Sequence, residues 1–306
     1  AQKSRSAKVL KEYSWRTATR ALPDANLALL SIPGAYVYEE AKKAIELGLH
    51  VFIFSDNVSV EEERSLKDMA SKKGLLVMGP DCGTGCISGV PIAFANVVNE
   101  GNIGVVGASG TGIQEVITQI HHLGAGITHA IGTGGRDIKE SIGGITVKQA
   151  LGLLEKDEKT KVVVLISKPP AESVKAEVVA QIKAMSKPVV ILFIGDLPKA
   201  NDGNICYAYT LEEAAYKAVE RSKLCRLQNE SLAGKIEAIK VKPAQRKIKA
   251  LYSGGTLAYE CGFLVENTLG LPHGSNTQEG YILSYGGHEV TDLGDDPYPP
   301  GRPHPT

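Results

Sequence analysis

From residue 27 onward, short apolar runs alternate with longer amphipathic stretches. Leu27-Ala28-Leu29-Leu30-Ser31-Ile32 ends at Pro33-Gly34, a strand followed by its turn. Glu39 to Leu47 has helical spacing, Val51-Phe52-Ile53-Phe54 reads as a strand, Val60 to Ser71 as a Glu- and Lys-rich helix, and Gly74 to Gly79 as a further strand. The alternation resumes at Asn102. It predicts strands at 103–107, 127–131, 162–166 and 188–194, and helices at 112–123, 145–155, 171–185 and 211–221. These strands are apolar throughout, as expected where both faces of a sheet are covered. Such an order predicts an α/β protein with parallel sheets and helices on both faces.

Other stretches break this rhythm. Residues 1–22 read as a polar helix, Lys8 to Arg20, with the only Trp at position 15. Pro80 to Asn99 carries five Gly or Pro breakers and little helical signal, and reads as a linker with a loop role. Residues 222–245 are basic and connecting. Residues 248–252 then predict a strand, followed by Ser253-Gly254-Gly255-Thr256 and a helix, which looks like the opening of another α/β unit. The tail from Asp292 to Thr306 has five prolines and no periodicity, so this last unit is expected to need further chain to close its sheet.

Composition narrows the function. The chain has 306 residues, long enough for about two domains by the usual size of roughly 150 residues each. Lys+Arg and Asp+Glu number 34 each, so a nucleic-acid binder driven by counterion release is excluded. Apolar runs such as 162–166 and 189–194 fall far short of the ~20 residues of a membrane helix. No apolar segment follows Ala1-Gln2-Lys3-Ser4-Arg5, so no signal peptide is visible. The cysteines, at 82, 86, 206, 225 and 261, are odd in number, which points to a reducing cytoplasm rather than a disulfide framework. Cys82 and Cys86 lack a second pair or a nearby His, so no metal site is expected.

The glycines carry the chemistry. Gly110-Thr111-Gly112 fails as a dinucleotide fingerprint because Glu115 replaces the third Gly, and Gly107 to Gly112 fails as a phosphate-binding P-loop because Ile113 replaces the Lys. What remains is a strand, a turn of small residues and a helix start. Ser109, Gly110, Thr111 and Gly112 present unpaired amides and hydroxyls at the positive end of a helix dipole, which suits a phosphate or carboxylate. The bland alternative is a plain N-cap on a tight turn. Gly134 and Gly135 follow the next strand at the same sheet end, and Arg136 there either grips an anion or pairs with Asp137. Lys168, just past strand 162–166, is either a second cation at the ligand end or a solvated side chain. Gly254, Gly255 and Thr256 repeat the theme and offer a second anion site or only a turn. Cys82 is either a nucleophile or, with no basic neighbour in sequence, an inert buried thiol.

Gly79-Pro80-Asp81-Cys82-Gly83, Ala108 to Glu115 and Gly132-Thr133-Gly134-Gly135-Arg136-Asp137 resemble the α subunit of succinyl-CoA synthetase. More closely, Phe94-Ala95-Asn96-Val97, Ile127 to Gly132, Ser167 to Glu172 and Gly301-Arg302-Pro303-His304-Pro305 resemble the FdrA family, a branch of that superfamily. The resemblance implies a helical remainder at 1–22 and the later half of a Rossmann-like CoA-binding domain at 23–99. It implies a flavodoxin-like ligase domain at 100–245 and the start of a second ligase-like domain at 246–306. It further implies an acyl or CoA site near Gly79, Pro80 and Cys82, and a role for Arg302 and His304 beside Gly254, Gly255 and Thr256. CoA is a further expected ligand, and partner subunits and an oligomer are expected.

Two departures from the synthetase pattern bear on mechanism. No His follows Ile194, where the resemblance places a phosphate-carrying imidazole, and Lys168 falls near the place of a supporting Glu. An anion cradle with an added cation and no phosphoryl relay fits direct binding of an acyl phosphate or carboxylate. The FdrA resemblance therefore implies carbamoyl transfer, from oxalurate and phosphate to oxamate and carbamoyl phosphate, with Lys168 and Arg136 as catalytic cations. The alternatives are a nucleoside-diphosphate-forming acyl-CoA synthetase and a non-catalytic structural subunit.

Overall fold

The computed structural model describes residues 14–197, 199–222, 244–274, 276 and 280–293. The expected helix before Trp15, the basic connector at 223–243 and the tail with Arg302 and His304 lie outside the described residues. The chain divides into two compact units, Ala1–Cys82 and Gly83–Thr306.

In the first unit, α1 (Trp15–Ala21) precedes β1 (Leu27–Leu30), α2 (Val37–Glu46), β2 (His50–Ile53), α3 (Val60–Lys72) and β3 (Val77–Met78). The strands form a parallel sheet in the order β1-β2-β3. Helix α3 starts where Ser59 accepts from the Glu62 amide and Glu62 answers to the Ser59 amide, a reciprocal capping box. Val37, Ala41, Ala44 and Ile45 give α2 its buried face against this sheet.

The second unit is built on a seven-stranded sheet in the order β10-β9-β8-β6-β7-β4-β5. Its parallel strands are β6 (Glu100–Gly107), β7 (Ile127–Gly132), β8 (Val162–Ser167), β9 (Val189–Phe193) and β10 (Ile205–Tyr207). Helices α4 (Gly110–His122), α5 (Ile145–Lys156), α6 (Glu172–Lys183) and α7 (Leu211–Ser222) connect and cover them. Ile113, Val116, Ile117 and Ile120 of α4 are fully buried, each worth about 2 kcal/mol of apolar burial. Gly107 permits this packing, because a Cβ there would lie 2.7 Å from the Ile113 side chain. The chain leaves β6 toward β7 on one side and returns to β8 on the other. The crevice beyond the carboxyl ends of β6 and β8 is therefore the switch point where open α/β sheets bind ligands.

Three features differ from the sequence reading, the first being the short edge strand β10 after the predicted strand at 188–194. The stretch expected to be a linker contains an antiparallel hairpin, β4 (Thr84–Ile87) and β5 (Val90–Ala93), and β4 also pairs antiparallel with β7. Ser88 and Gly89 both take positive φ, 50° and 77°, as a two-residue hairpin turn requires. Pro91 is tolerated because β5 is an edge strand. After 248 the described residues form a small mixed sheet, where a single strand and a helix are expected. β11 (Lys249–Tyr252) pairs parallel with β13 (His288–Asp292), which pairs antiparallel with β12 (Tyr281–Tyr285), and α8 (Gly255–Leu269) packs on them. No helix among the described residues is long and apolar enough to cross a membrane.

Candidate functional site

Ser109 is the N-cap of α4, in extended conformation, and its hydroxyl accepts from the Gly112 amide at 3.1 Å. The Ile113 amide bonds the Ser109 carbonyl at 3.0 Å. Between them, the amides of Gly110 and Thr111 meet no acceptor among the described residues. Thr111 is exposed and Gly110 half-buried. The hydroxyl of buried Thr84, from the unexpected hairpin, lies 3.4 Å from where a Cβ on Gly110 would stand.

A second helix start adjoins the first. The Ser109 hydroxyl lies 2.5 Å from the Thr256 hydroxyl, in the first turn of α8. Gly254 is the N-cap of α8 and offers no side-chain cap. The ammonium of Lys168 lies 4.3 Å from the centre of the Tyr259 ring and 3.5 Å from where a Cβ on Gly255 would stand. An Asp292 carboxylate oxygen comes within 3.2 Å of the same point. Two helix N-termini, two hydroxyls, one exposed ammonium and one carboxylate thus gather at the carboxyl end of the sheet. The dipoles of both helices favour an anion there.

The turn after β7 lies alongside. Its Gly135 would place a Cβ 3.7 Å from the Ala108 carbonyl, and Gly134 takes φ +81°, which favours glycine. Asp137 is fully buried, and its carboxylate accepts from the Thr146 and Val147 amides at 3.1 and 2.9 Å. It caps α5, whose own N-cap Gly144 has no side chain to do so. Asp137 thus serves as a buried helix cap, whatever else it meets. Arg136 itself is half-buried and already engaged.

Gly79, Pro80 and Cys82 belong to the first unit. The Cys82 thiol is 3% exposed and its amide bonds the Ile53 carbonyl at 3.1 Å, an inert setting for a nucleophile. Gly79 takes φ +96°, and a Cβ would stand 2.3 Å from the Ile53 carbonyl oxygen. Backbone fit accounts for this glycine.

Sequence reasoning missed Thr84, Asp292 and His273. His273 follows α8 and lines a groove of about 470 Å³ together with Gly195, Asp196 and Lys199. That is the segment tested for a histidine by position along the chain; the fold supplies one from nearly eighty positions further on. The His273 Nδ1 lies 3.2 Å from a Glu266 carboxylate oxygen. No linear spacing signals this approach.

Residues 98–195 match the CoA binding domain family. The match falls within the second unit. The uncharacterized protein YahF of Escherichia coli (strain K12) is 42% identical over 303 residues, covering 94% of this chain and 58% of that protein. The ADP-forming succinate–CoA ligase subunit alpha 2 of Archaeoglobus fulgidus is 30% identical over 173 residues, covering 55% of this chain and 58% of that protein. The chain thus spans little more than half the length of these curated relatives. The structure of ATP citrate lyase from Methanothrix soehngenii in complex with citrate and coenzyme A aligns with TM-score 0.54 at 15% identity, over 77% of this chain and 47% of that one. This likeness shows the fold alone. Taken together, residues 98–195 match a CoA-binding domain, and a little over half of the chain is similar in sequence to succinate–CoA ligase α subunits.

Proposed function

We propose that this chain is part of an acyl-CoA-synthetase-like subunit that holds a phosphate or acyl phosphate at the adjoining starts of α4 and α8. One observation carries the reading: the Gly110 and Thr111 amides have no acceptor among the described residues, and Ser109 of the same turn touches Thr256 in the helix start that Lys168 adjoins. In such a site the amides and the Ser109 and Thr256 hydroxyls orient the anion, and Lys168 offsets the charge that gathers on a phosphate leaving group. Arg136, Gly134 and Gly135 border the cradle rather than form it. CoA is the acyl acceptor in this reading, and the homology to ligase subunits supports a partner subunit and an oligomer.

Carbamoyl transfer from oxalurate is a narrower form of the same anion chemistry. The names of the ligase relatives favour acyl-CoA ligation. The acyl-CoA ligase is therefore the preferred reading.

Calorimetric titration with inorganic phosphate tests it. Binding is expected in the unaltered chain, with a several-fold loss in Lys168→Ala that shrinks as salt is raised, because Lys168 is exposed and screened. No phosphate binding at low salt would sink the reading. Incubation with γ-labelled nucleoside triphosphate, with and without a partner subunit, separates two routes. No acid-labile label is expected if the anion is bound directly. A label that is lost in His273→Asn would replace direct binding with a relay through the groove.

A further inference from the structure

Lys168 leaves β8 on a fixed stem. Ser167 before it is fully buried, its hydroxyl donates to the Lys168 carbonyl at 2.6 Å, and its own carbonyl accepts from the Ile194 amide at 2.9 Å. Pro169 after it restricts the Lys168 backbone to extended conformations. Only the side chain is left to move. It is exposed, and an ammonium is a compact, strongly hydrated charge on a flexible stem, so open water is its ordinary place.

The ammonium instead stands over the start of α8. It lies 4.3 Å from the centre of the Tyr259 ring, one turn into that helix. A Cβ on Gly255, the first residue of α8, would stand 3.5 Å from the ammonium and 3.8 Å from the Tyr259 ring. The bare glycine thus leaves room for ammonium and ring to meet. A helix start carries partial positive charge, so the dipole of α8 opposes a cation there. The Asp292 carboxylate, 3.2 Å from the same point, offsets part of that opposition. The negative face of the Tyr259 ring supplies a second attraction. A cation held against a positive helix end leaves two positive charges facing one space, and an incoming anion meets both.

We propose that Tyr259 is the positioning residue of the anion site: its ring holds the Lys168 ammonium at the start of α8, where hydration and the helix dipole would otherwise turn it away. The proposal rests on the reading of the cradle given above, and it adds what keeps the cation of that cradle in place. Tyr259 acts through Lys168 rather than on the anion.

Nuclear magnetic resonance of the chain with isotope-labelled lysine tests the contact, with Lys168→Arg assigning the signal. The ε-methylene protons of Lys168 should be shifted upfield by the ring, keep that shift in Tyr259→Phe and lose it in Tyr259→Leu. Calorimetric titration with inorganic phosphate reads the consequence. Tyr259→Phe should bind as the unaltered chain does, and Tyr259→Leu about threefold more weakly. Tyr259→Leu combined with Lys168→Ala should bind no more weakly than Lys168→Ala alone. Thermal melting checks that each variant is folded, with Tyr259→Met as the alternative ringless variant. An unshifted Lys168 signal in the unaltered chain overturns the proposal whether or not phosphate binds. So does an equal loss of affinity from Tyr259→Leu with and without Lys168, which would mark a merely structural ring. The two claims separate cleanly. Phosphate binding without a Lys168-dependent effect of Tyr259 removes only the positioning role. A ring-shifted Lys168 without phosphate binding removes the cradle, and the role with it.

Discussion

Helix α5 opens on the amides of Thr146 and Val147, both taken by the buried carboxylate of Asp137, whereas α4 opens on Gly110 and Thr111, whose amides meet no acceptor among the described residues. Both helices leave the carboxyl end of the same sheet, within one unit, through glycine-rich turns. Every helix start has unpaired donors and partial positive charge. In α5 the chain satisfies them from within and makes a structural joint. In α4 a Ser hydroxyl takes one donor and leaves the rest, which makes a place for an external anion. The presence or absence of an internal carboxylate separates the two, more than the glycines themselves do.

The strongest way to break this contrast is to open the closed helix. Asp137→Ala leaves two buried amides without an acceptor and removes charge-assisted bonds, so a loss of about 3 kcal/mol in unfolding free energy is expected. Asp137→Asn keeps one acceptor and should lose less. Urea unfolding of both variants measures this. Near-native stability in Asp137→Ala would mean that the cap is not what holds α5.

The converse change closes a donor on the open helix. Gly110 is the first residue of α4, and Ser109 before it has φ −129° and ψ 113°, a conformation compatible with a following proline. Gly110→Pro should remove one amide donor at a position where a helix tolerates proline, leaving stability within about 0.5 kcal/mol. Phosphate affinity should nonetheless fall about tenfold. Unchanged phosphate affinity in a folded Gly110→Pro variant would show that this amide does not touch the anion.

Much of this architecture was legible as pattern. The alternation of strands and helices from 103 to 222, short β10 aside, was readable because strands such as β8 and β9 are buried throughout and α4 carries an unbroken buried stripe in Ile113, Val116, Ile117 and Ile120. The β4–β5 hairpin was not, because its strands are short and its glycines and Pro91 look like loop until their pairing with β7 is seen. The small sheet after 248 escaped for a related reason, since β11 pairs with a strand some forty residues away. At the site, Ser109, Gly110 and Thr111 announce themselves by spacing. The Ser109–Thr256 contact joins residues 147 positions apart, and the approach of His273 to the loop after β9 is equally non-local. Contacts of that range depend on how sheets and helices stack, and local sequence carries no trace of them. Asp137 shows another limit, since its role at the start of α5 rests on burial that its place beside Arg136 does not reveal.

A carboxylate that closes a helix from a distance gives the smallest and sharpest test. The Leu211 amide, at the start of α7, bonds a Glu260 carboxylate oxygen at 2.7 Å, across from α8. Burial pushes the Glu260 carboxyl above its ordinary value, the Leu211 amide opposes this, and the nearby Glu115 and Glu212 charges add to the rise. A raised folded value means that the folded state binds this proton more tightly than the unfolded chain does. Stability contributed by the group is then greatest below the unfolded carboxylate value of about 4.3 and is lost as pH rises through the raised folded value. Here a charged cap costs stability at neutral pH, unlike Asp137. Glu260→Gln keeps an oxygen for the Leu211 amide and removes the charge. It should leave neutral-pH stability unchanged or raise it by up to about 1 kcal/mol, and it should flatten the decline between pH ~4.3 and neutrality. Urea unfolding across that range reads both effects. A Glu260→Gln variant that is less stable at neutral pH and keeps the same slope would mean that the charged carboxylate strengthens the α7 start, as Asp137 strengthens that of α5.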